Sequence, residues 1–236
     1  MNILALDTAT EACSAALQLG DQVIARFEVA GRGHTQKLVP MVRGLLAEAG
    51  IAFAQLDAYV CGVGPGSFAG VRIGVSFVKG LALAHERPVV AVSSLAMLAA
   101  PVIAGGAPRV LTAIDARMNE VYFAAWARDA SGLPQRVGEA SVAAPVDVGA
   151  HTGEWHAAGS GWQAYRTELE AATGATLKQV DGAALPQARD ALALALPQLA
   201  AGNSISAAAL VPEYLRNKVA LTLREQRAHK AGVGDR

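Results

Sequence analysis

The segment Gly62-Val63-Gly64-Pro65-Gly66-Ser67-Phe68-Ala69-Gly70 constrains this chain more than any other. An apolar strand pattern, Leu56–Val63, runs into it, and a long helical pattern leaves it. The backbone must therefore turn from strand to helix within a few residues. Glycine allows the positive φ such a turn needs, and the first amides of the helix carry a partial positive charge that accepts anions. A second turn of related character ends the strand pattern Ile3-Leu4-Ala5-Leu6-Asp7-Thr8-Ala9-Thr10. Read together, the two are phosphate-facing turns of a nucleotide-type site. Asp7 would hold a hydrated metal, while Thr8, Gly64, Gly66 and Ser67 would face phosphate oxygens. The alternative is purely structural: glycines serving a tight turn, and Asp7 or Thr8 closing local hydrogen bonds. The glycine order fits neither a Walker loop nor a dinucleotide fingerprint.

Around these turns the apolar periodicity predicts strands over residues 2–7, 12–19 and 22–29, then a helix from about Thr35 to the Gly50 cap. Leu56–Val63, the helix after the glycine loop, a strand over Pro88–Val92 and a short helix from Ser93 or Ser94 to Ala100 follow. The order β-β-β-α-β-α-β-α joins a hairpin sheet to parallel crossovers. Gly105-Gly106-Ala107-Pro108 breaks the pattern and divides the chain into subdomains over 1–104 and 105–220, with an exposed tail over 221–236. Three more strand patterns open the second unit: Arg109–Ile114, Glu120–Ala127 and Arg136–Val142. That repeats the opening of the first unit and hints at duplication without a sequence repeat. A strand near Trp155–Ala158, helices over Trp162–Thr173 and Pro186–Ala200, and a helix or extended stretch over 207–216 complete the reading.

The two first-unit helices carry wide apolar faces: Leu38, Met41, Val42 and Leu45 on one, Val71, Gly74, Val75 and Val78 on the other. Glycine in a helix interior is unfavourable by about 1 kcal/mol relative to alanine. Gly70, Gly74 and Gly80 therefore read as notches for close approach of another helix, and these eight residues as a partner interface. A large charged residue at Gly74 or Val78 is then expected to abolish pairing and spare the fold.

Composition excludes several roles. Twenty basic and twenty acidic side chains cancel, so the chain lacks the footprint of a protein that grips nucleic acid alone. Cys13 and Cys61 both lie in strand patterns and read as small core residues. The start shows no signal peptide, and the Val89–Ala104 run is shorter than the ~20 residues a membrane span needs. The expectation is a cytoplasmic protein with no membrane role.

His34 has no second histidine or cysteine at ligand spacing, so a metal site around it lacks partners. His151 and His156 flank Glu154, but Gly153 argues against a helical zinc motif. Arg72, Ser76 and Lys79 form a narrow polar stripe. Asp115, Arg117 and Glu120 either line a cleft between the units or form a hairpin turn with a surface ion pair.

In combination, Ile3–Thr10, His34–Pro40, the block Gly62–Gly74, Ser93-Ser94-Leu95, Asp115–Tyr122 and Pro212-Glu213-Tyr214-Leu215-Arg216 resemble the TsaB (YeaZ-type) family, in the family's order, to about Val219. The resemblance implies an actin-like ATPase fold: two ribonuclease-H-like α/β subdomains, each with a mixed five-stranded sheet and flanking helices. It implies a non-catalytic, required subunit in the formation of threonylcarbamoyladenosine next to the anticodon of tRNAs that read codons starting with A. It further implies pairing with and activation of the paralogue TsaD, with TsaE in a larger assembly, tRNA met only through the complex, and homodimers through the same surface. The paired-histidine metal motif of TsaD has only His34 in the corresponding stretch. Ala69 stands where many members have threonine. No resident cofactor is expected firmly, only weak or interfacial ATP or ADP with Mg. Two rival readings are a self-sufficient ATPase or small-molecule kinase using Asp7 and the Gly64–Ser67 loop, and a protease, for which the sequence offers no nucleophile–base pair.

Overall fold

The computed structural model describes residues 1–31 and 33–216. The tail expected over 221–236 lies outside them. The first sheet is built from a meander of β1 (Asn2–Asp7), β2 (Ala12–Leu19) and β3 (Gln22–Val29), extended by β4 (Ala58–Gly62) and β5 (Val89–Val92) in the order β3-β2-β1-β4-β5. β1, β4 and β5 run parallel through the crossover helices α1 (His34–Ala49) and α2 (Phe68–His85). α3 (Ser94–Ala104) leads to the second sheet: β6 (Arg109–Arg117), β7 (Glu120–Arg128), β8 (Pro134–Ala143), β9 (Gly153–Ala158) and β10 (Ala175–Asp181), ordered β10-β9-β6-β7-β8. In each sheet the first strand is central, its two hairpin partners lie on one side and two parallel strands on the other. The duplication hinted at by the strand patterns is thus one of topology, and the actin-like, ribonuclease-H-like class follows from it.

Alternation along β1 assigns its two faces. Leu4 and Leu6 join Leu17, Leu38, Val42, Leu45, Val71, Val75 and Val78 in the core beneath α1 and α2. Ile3 and Ala5 join Val60, Val90, α3 and residues of the second sheet in a core between the two sheets. The outer face of the second sheet is covered by α4 (Ser160–Ala164) and α5 (Arg166–Thr173), with Trp162 and Leu169 buried against Leu111 and Phe123.

This packing overturns the expected interface. Leu38, Val42, Leu45, Val71, Gly74, Val75 and Val78 are buried against the first sheet, and Met41 is half-buried. Each fully buried Leu or Val contributes roughly 1.5–3 kcal/mol to the monomer. The wide apolar faces exist because the sheet needs covering. The outward sides are different residues: Pro40, Gly44 and Ala47 on α1, and Ala69, Ser76, Gly80 and Ala84 on α2, with Ile73 and Phe77 partly exposed beside them.

Two other expectations change, and one strand is new. The helix expected over Trp162–Thr173 is two helices, broken at Tyr165, whose φ of −135° is not helical. β10 went unassigned in the sequence; it is an edge strand whose polar residues face solvent. Over 207–216 the extended alternative holds, after one 3-10 turn over Ala207–Ala209. The unit expected over 105–220 is also not contiguous. α6 (Ala188–Ala200) returns to pack on β1, β2, β4 and β5, and Ile205 bridges to Val89.

Candidate functional site

The ends of β1 and β4 and the start of α2 converge, as the two turns predicted. They do so by bonding to one another. The Ser67 amide donates to Ala9 O at 2.6 Å, and the Ser67 hydroxyl caps α2 by accepting from Gly70 N at 3.3 Å. Thr8 Oγ1 donates to Gly70 O at 2.7 Å. A Cβ at Gly66 would collide with the Ala9 carbonyl, and one at Gly74 would sit 2.6 Å from Thr8 Oγ1. These glycines therefore admit the β1–β2 turn to the α2 surface. In the predicted reading they would have admitted a phosphate.

Asp7 is fully buried. One carboxyl oxygen accepts the Ala9 amide at 3.1 Å and the other accepts Ser94 Oγ at 3.2 Å. Burial pushes its pKa up to about 6, and the two hydrogen bonds oppose that rise without cancelling it. A Cβ at Gly62 would strike the same carboxyl group, so the space around it is closed on that side too. This is a poor fit for a hydrated Mg²⁺, which keeps several waters and needs an open octahedral shell. Ser94 was legible only as a helix start; its bond to a residue 87 positions away had no local signal.

His34 is also committed to structure. Its Nε2 donates to the carbonyls of Thr10 at 2.9 Å and Ala12 at 3.2 Å, pinning the start of α1 to the β1–β2 turn. Among the described residues no three His, Cys, Asp or Glu side chains cluster at metal-binding distance. Cys13 and Cys61 are free and buried, and burial raises both thiol pKa values.

Beyond the turns lies a cleft of about 440 Å³ between the lobes. Its walls are the β1–β2 turn, the start of α2, the β6–β7 turn and the extended stretch Glu213–Arg216. Asp115 and Arg117 line it and Glu120 does not, while Asp115 and the exposed Arg117 form the surface ion pair of the other reading, at 2.8 Å, so each of the two sequence readings holds in part. Arg117, Met118 and Asn119 are all left-handed, with φ of 59°, 58° and 57°, an unfavourable run held at the cleft rim. At the mouth, the Arg72 guanidinium lies 3.4 Å over the Phe68 ring, and its Nε donates to Tyr214 Oη at 2.8 Å. Glu120 pairs with Arg216, which also donates to Ala116 O at 3.1 Å. The sequence reading had placed Arg72 in a polar stripe. Of its two partners, Phe68 stands four residues before Arg72 on the same helix, at a spacing that brings side chains together, whereas Tyr214, 142 residues away, had no local signal.

The arrangement can hold the turns rigid and present a lined cleft, but no acid–base or nucleophilic pair emerges at its centre among the described residues. Comparison with known proteins gives it a context. Residues 26–222 match the family model for TsaD, described as tRNA N6-adenosine threonylcarbamoyltransferase. The tRNA threonylcarbamoyladenosine biosynthesis protein TsaB of Escherichia coli is 43% identical over 93% of this chain and 96% of its own length. Its counterpart in Haemophilus influenzae is 37% identical over 93% and 95%. Among solved structures, YeaZ from Pseudomonas aeruginosa superposes with a TM-score of 0.84 at 42% identity, covering 91% of this chain and 99% of that one.

Proposed function

The chain belongs to the TsaB (YeaZ) family, and we propose that it serves the formation of threonylcarbamoyladenosine in tRNA as a non-catalytic subunit that pairs with and activates a TsaD-type transferase. The observation that supports the non-catalytic reading is the closure of the phosphate-facing turns. Asp7, Thr8 and Ser67, the groups a catalyst would direct outward, are spent on hydrogen bonds within the monomer. On this reading any nucleotide meets the isolated chain weakly and is held at a subunit interface. TsaE joins the pair, tRNA is met through the assembly, and the protein works in the cytoplasm.

The pairing surface on this reading is the outward side of α1 and α2. Gly44 and Gly80 support it, since a Cβ at either would meet nothing within 4 Å, so the monomer has no steric need for glycine there. A homodimer through the same helices is the competing occupant.

Depletion of the protein is expected to remove the threonylcarbamoyl mark from tRNA, read by mass spectrometry of digested nucleosides. Re-expression of either the wild type or Asp7→Asn is expected to restore it. A folded Asp7→Asn chain that fails to restore the mark would make Asp7 a catalytic residue and overturn the subunit reading. Unmarked tRNA persisting after wild-type re-expression, or marked tRNA after depletion, would remove the role itself.

A further inference from the structure

Each sheet ends in two edge strands, and β3 differs from the other three. A free edge presents a row of unpaired N–H and C=O groups, which proteins ordinarily interrupt or cover. β5 is bridged on its open side by Ile205. β10 carries Lys178 where its register against β9 slips, and β8 begins at Pro134 and slips against β7. β3 has none of these devices. All eight of its residues pair with β2 in unbroken register, and six of them are exposed. Among the described residues no strand lies on its other side.

That open side has a defined pattern. The two-residue turn Gly20-Asp21 closes on the pair Leu19–Gln22, and at the far end the Ala30 amide donates to Glu11 O. Even-numbered residues of β3 therefore turn their backbone groups toward β2, and Val23, Ala25, Phe27 and Val29 turn theirs to the open edge. Among the described residues, the partner found there is the neighbouring Arg26 guanidinium, which donates to Ala25 O. The side chains of these four share one face. Ala25 meets the core between the sheets, while Val23, Phe27 and Val29 stay exposed. On the opposite face Arg26 pairs with Glu48 and Glu28 with Lys37. α1 lies mainly over β2, so a groove of about 430 Å³ stays open between β3 and Pro40, Met41 and Gly44.

Such an edge accepts another strand, and the charges say which. Two copies of β3, laid antiparallel about a two-fold axis at Phe27, set Arg26 opposite Glu28 of the other copy, twice. Phe27 then lies beside Phe27, and Ala25 beside Val29. A shift of two residues either way sets Arg26 against Arg26 or Glu28 against Glu28, and a shift of one mismatches the outward backbone groups. We propose that β3 is a self-pairing edge through which a second copy of this chain joins the two first sheets into one. The pairs at 25, 27 and 29 supply about six backbone hydrogen bonds. α2 lies over β1 and β4, away from this edge, so self-pairing leaves its outward side uncovered.

The test is sedimentation equilibrium of the full chain from about 1 to 200 µM. The wild type is expected to pass reversibly from monomer to dimer. Arg26→Glu and Glu28→Arg, each alone, set like charges opposite each other and are expected to weaken the dimer at least about tenfold. Mixed in equal amounts, the two variants are complementary at both contacts and are expected to associate at least as tightly as the wild type. A wild type that stays monomeric overturns the proposal. So does a dimer that neither change weakens, which would place the contact on the helices, or a mixture that stays monomeric. If a variant does not fold, hydrogen exchange on the wild type decides. The Phe27 and Val29 amides are expected to exchange several-fold more slowly at about 200 µM than at about 1 µM, and equal rates overturn the pairing.

Discussion

At Asp7 the environment and the charge pull against each other. A carboxyl group whose pKa rises from 3.8 unfolded to about 6 folded binds its proton more tightly in the native state. The stability this confers is complete below the unfolded value and is lost as pH climbs through the folded one. At neutral pH the penalty is about 3 kcal/mol relative to a group that does not shift. Asp7→Asn keeps an acceptor for the Ala9 amide and removes the charge. It should flatten the fall in stability between about pH 4 and pH 6, measured by urea denaturation of both chains at each pH. An unchanged slope would place the burden on another group. Asp190 titrates in the same window, so the double variant with Asp190→Asn should be flatter still.

Helices α1 and α2 each have an inner and an outer side, and glycine means something different on each. On the inner side of α2, a Cβ at Gly74 would press on Thr8 Oγ1 at 2.6 Å, so Gly74→Ala should destabilise the monomer by about 1–3 kcal/mol. On the outer side nothing opposes a Cβ at Gly80, so Gly80→Ala should stabilise the isolated chain by up to about 1 kcal/mol. The same substitution should weaken association with a TsaD-type partner if the notch receives a helix. Thermal melts of the chain alone and sedimentation of the mixture separate the two effects. A charged residue at Gly74 or Val78, expected from the sequence to block pairing and spare the fold, should instead unfold the first lobe. Helical periodicity located α1 and α2 because a face that covers a sheet is wide and apolar. It could not say which side a partner uses, because the inner face dominates the pattern and the outer face is marked only by small residues. The strands of both meanders were legible for a similar reason: β1 and β6 are buried on both faces and read as continuous apolar runs. β10 was missed because Lys178 and Gln179 interrupt its apolar positions, and Ser94's tie to Asp7 because it joins elements far apart in sequence.

Across the whole molecule, the final described stretch ties one lobe to the other. The Glu213 amide donates to Val63 O at 2.8 Å and Tyr214 accepts from Arg72, both on the first lobe, while Arg216 bonds Ala116 O and Glu120 on the second. Within four residues the chain crosses the cleft mouth. Arg216→Ala should loosen this crossing without unfolding either sheet. Hydrogen exchange at the β6–β7 turn and over 213–216 should speed several-fold, while β1 and β4 stay protected. Uniform protection in the variant would show that the shared core between the sheets alone sets the lobe arrangement.

The return of α6 has a consequence for how the protein is made. Its Ala191, Leu192 and Ala195 sit in the same core as Ile3, Ala5, Ala16, Val60 and Val90. A ribosome that has delivered only the first hundred residues has therefore built a sheet with one flank bare. That flank stays without its lid until α6 itself is delivered, after every strand of the second sheet, so a product severed at the visible seam should be sticky and short-lived, and the half that looks independent would wait for the other to mature.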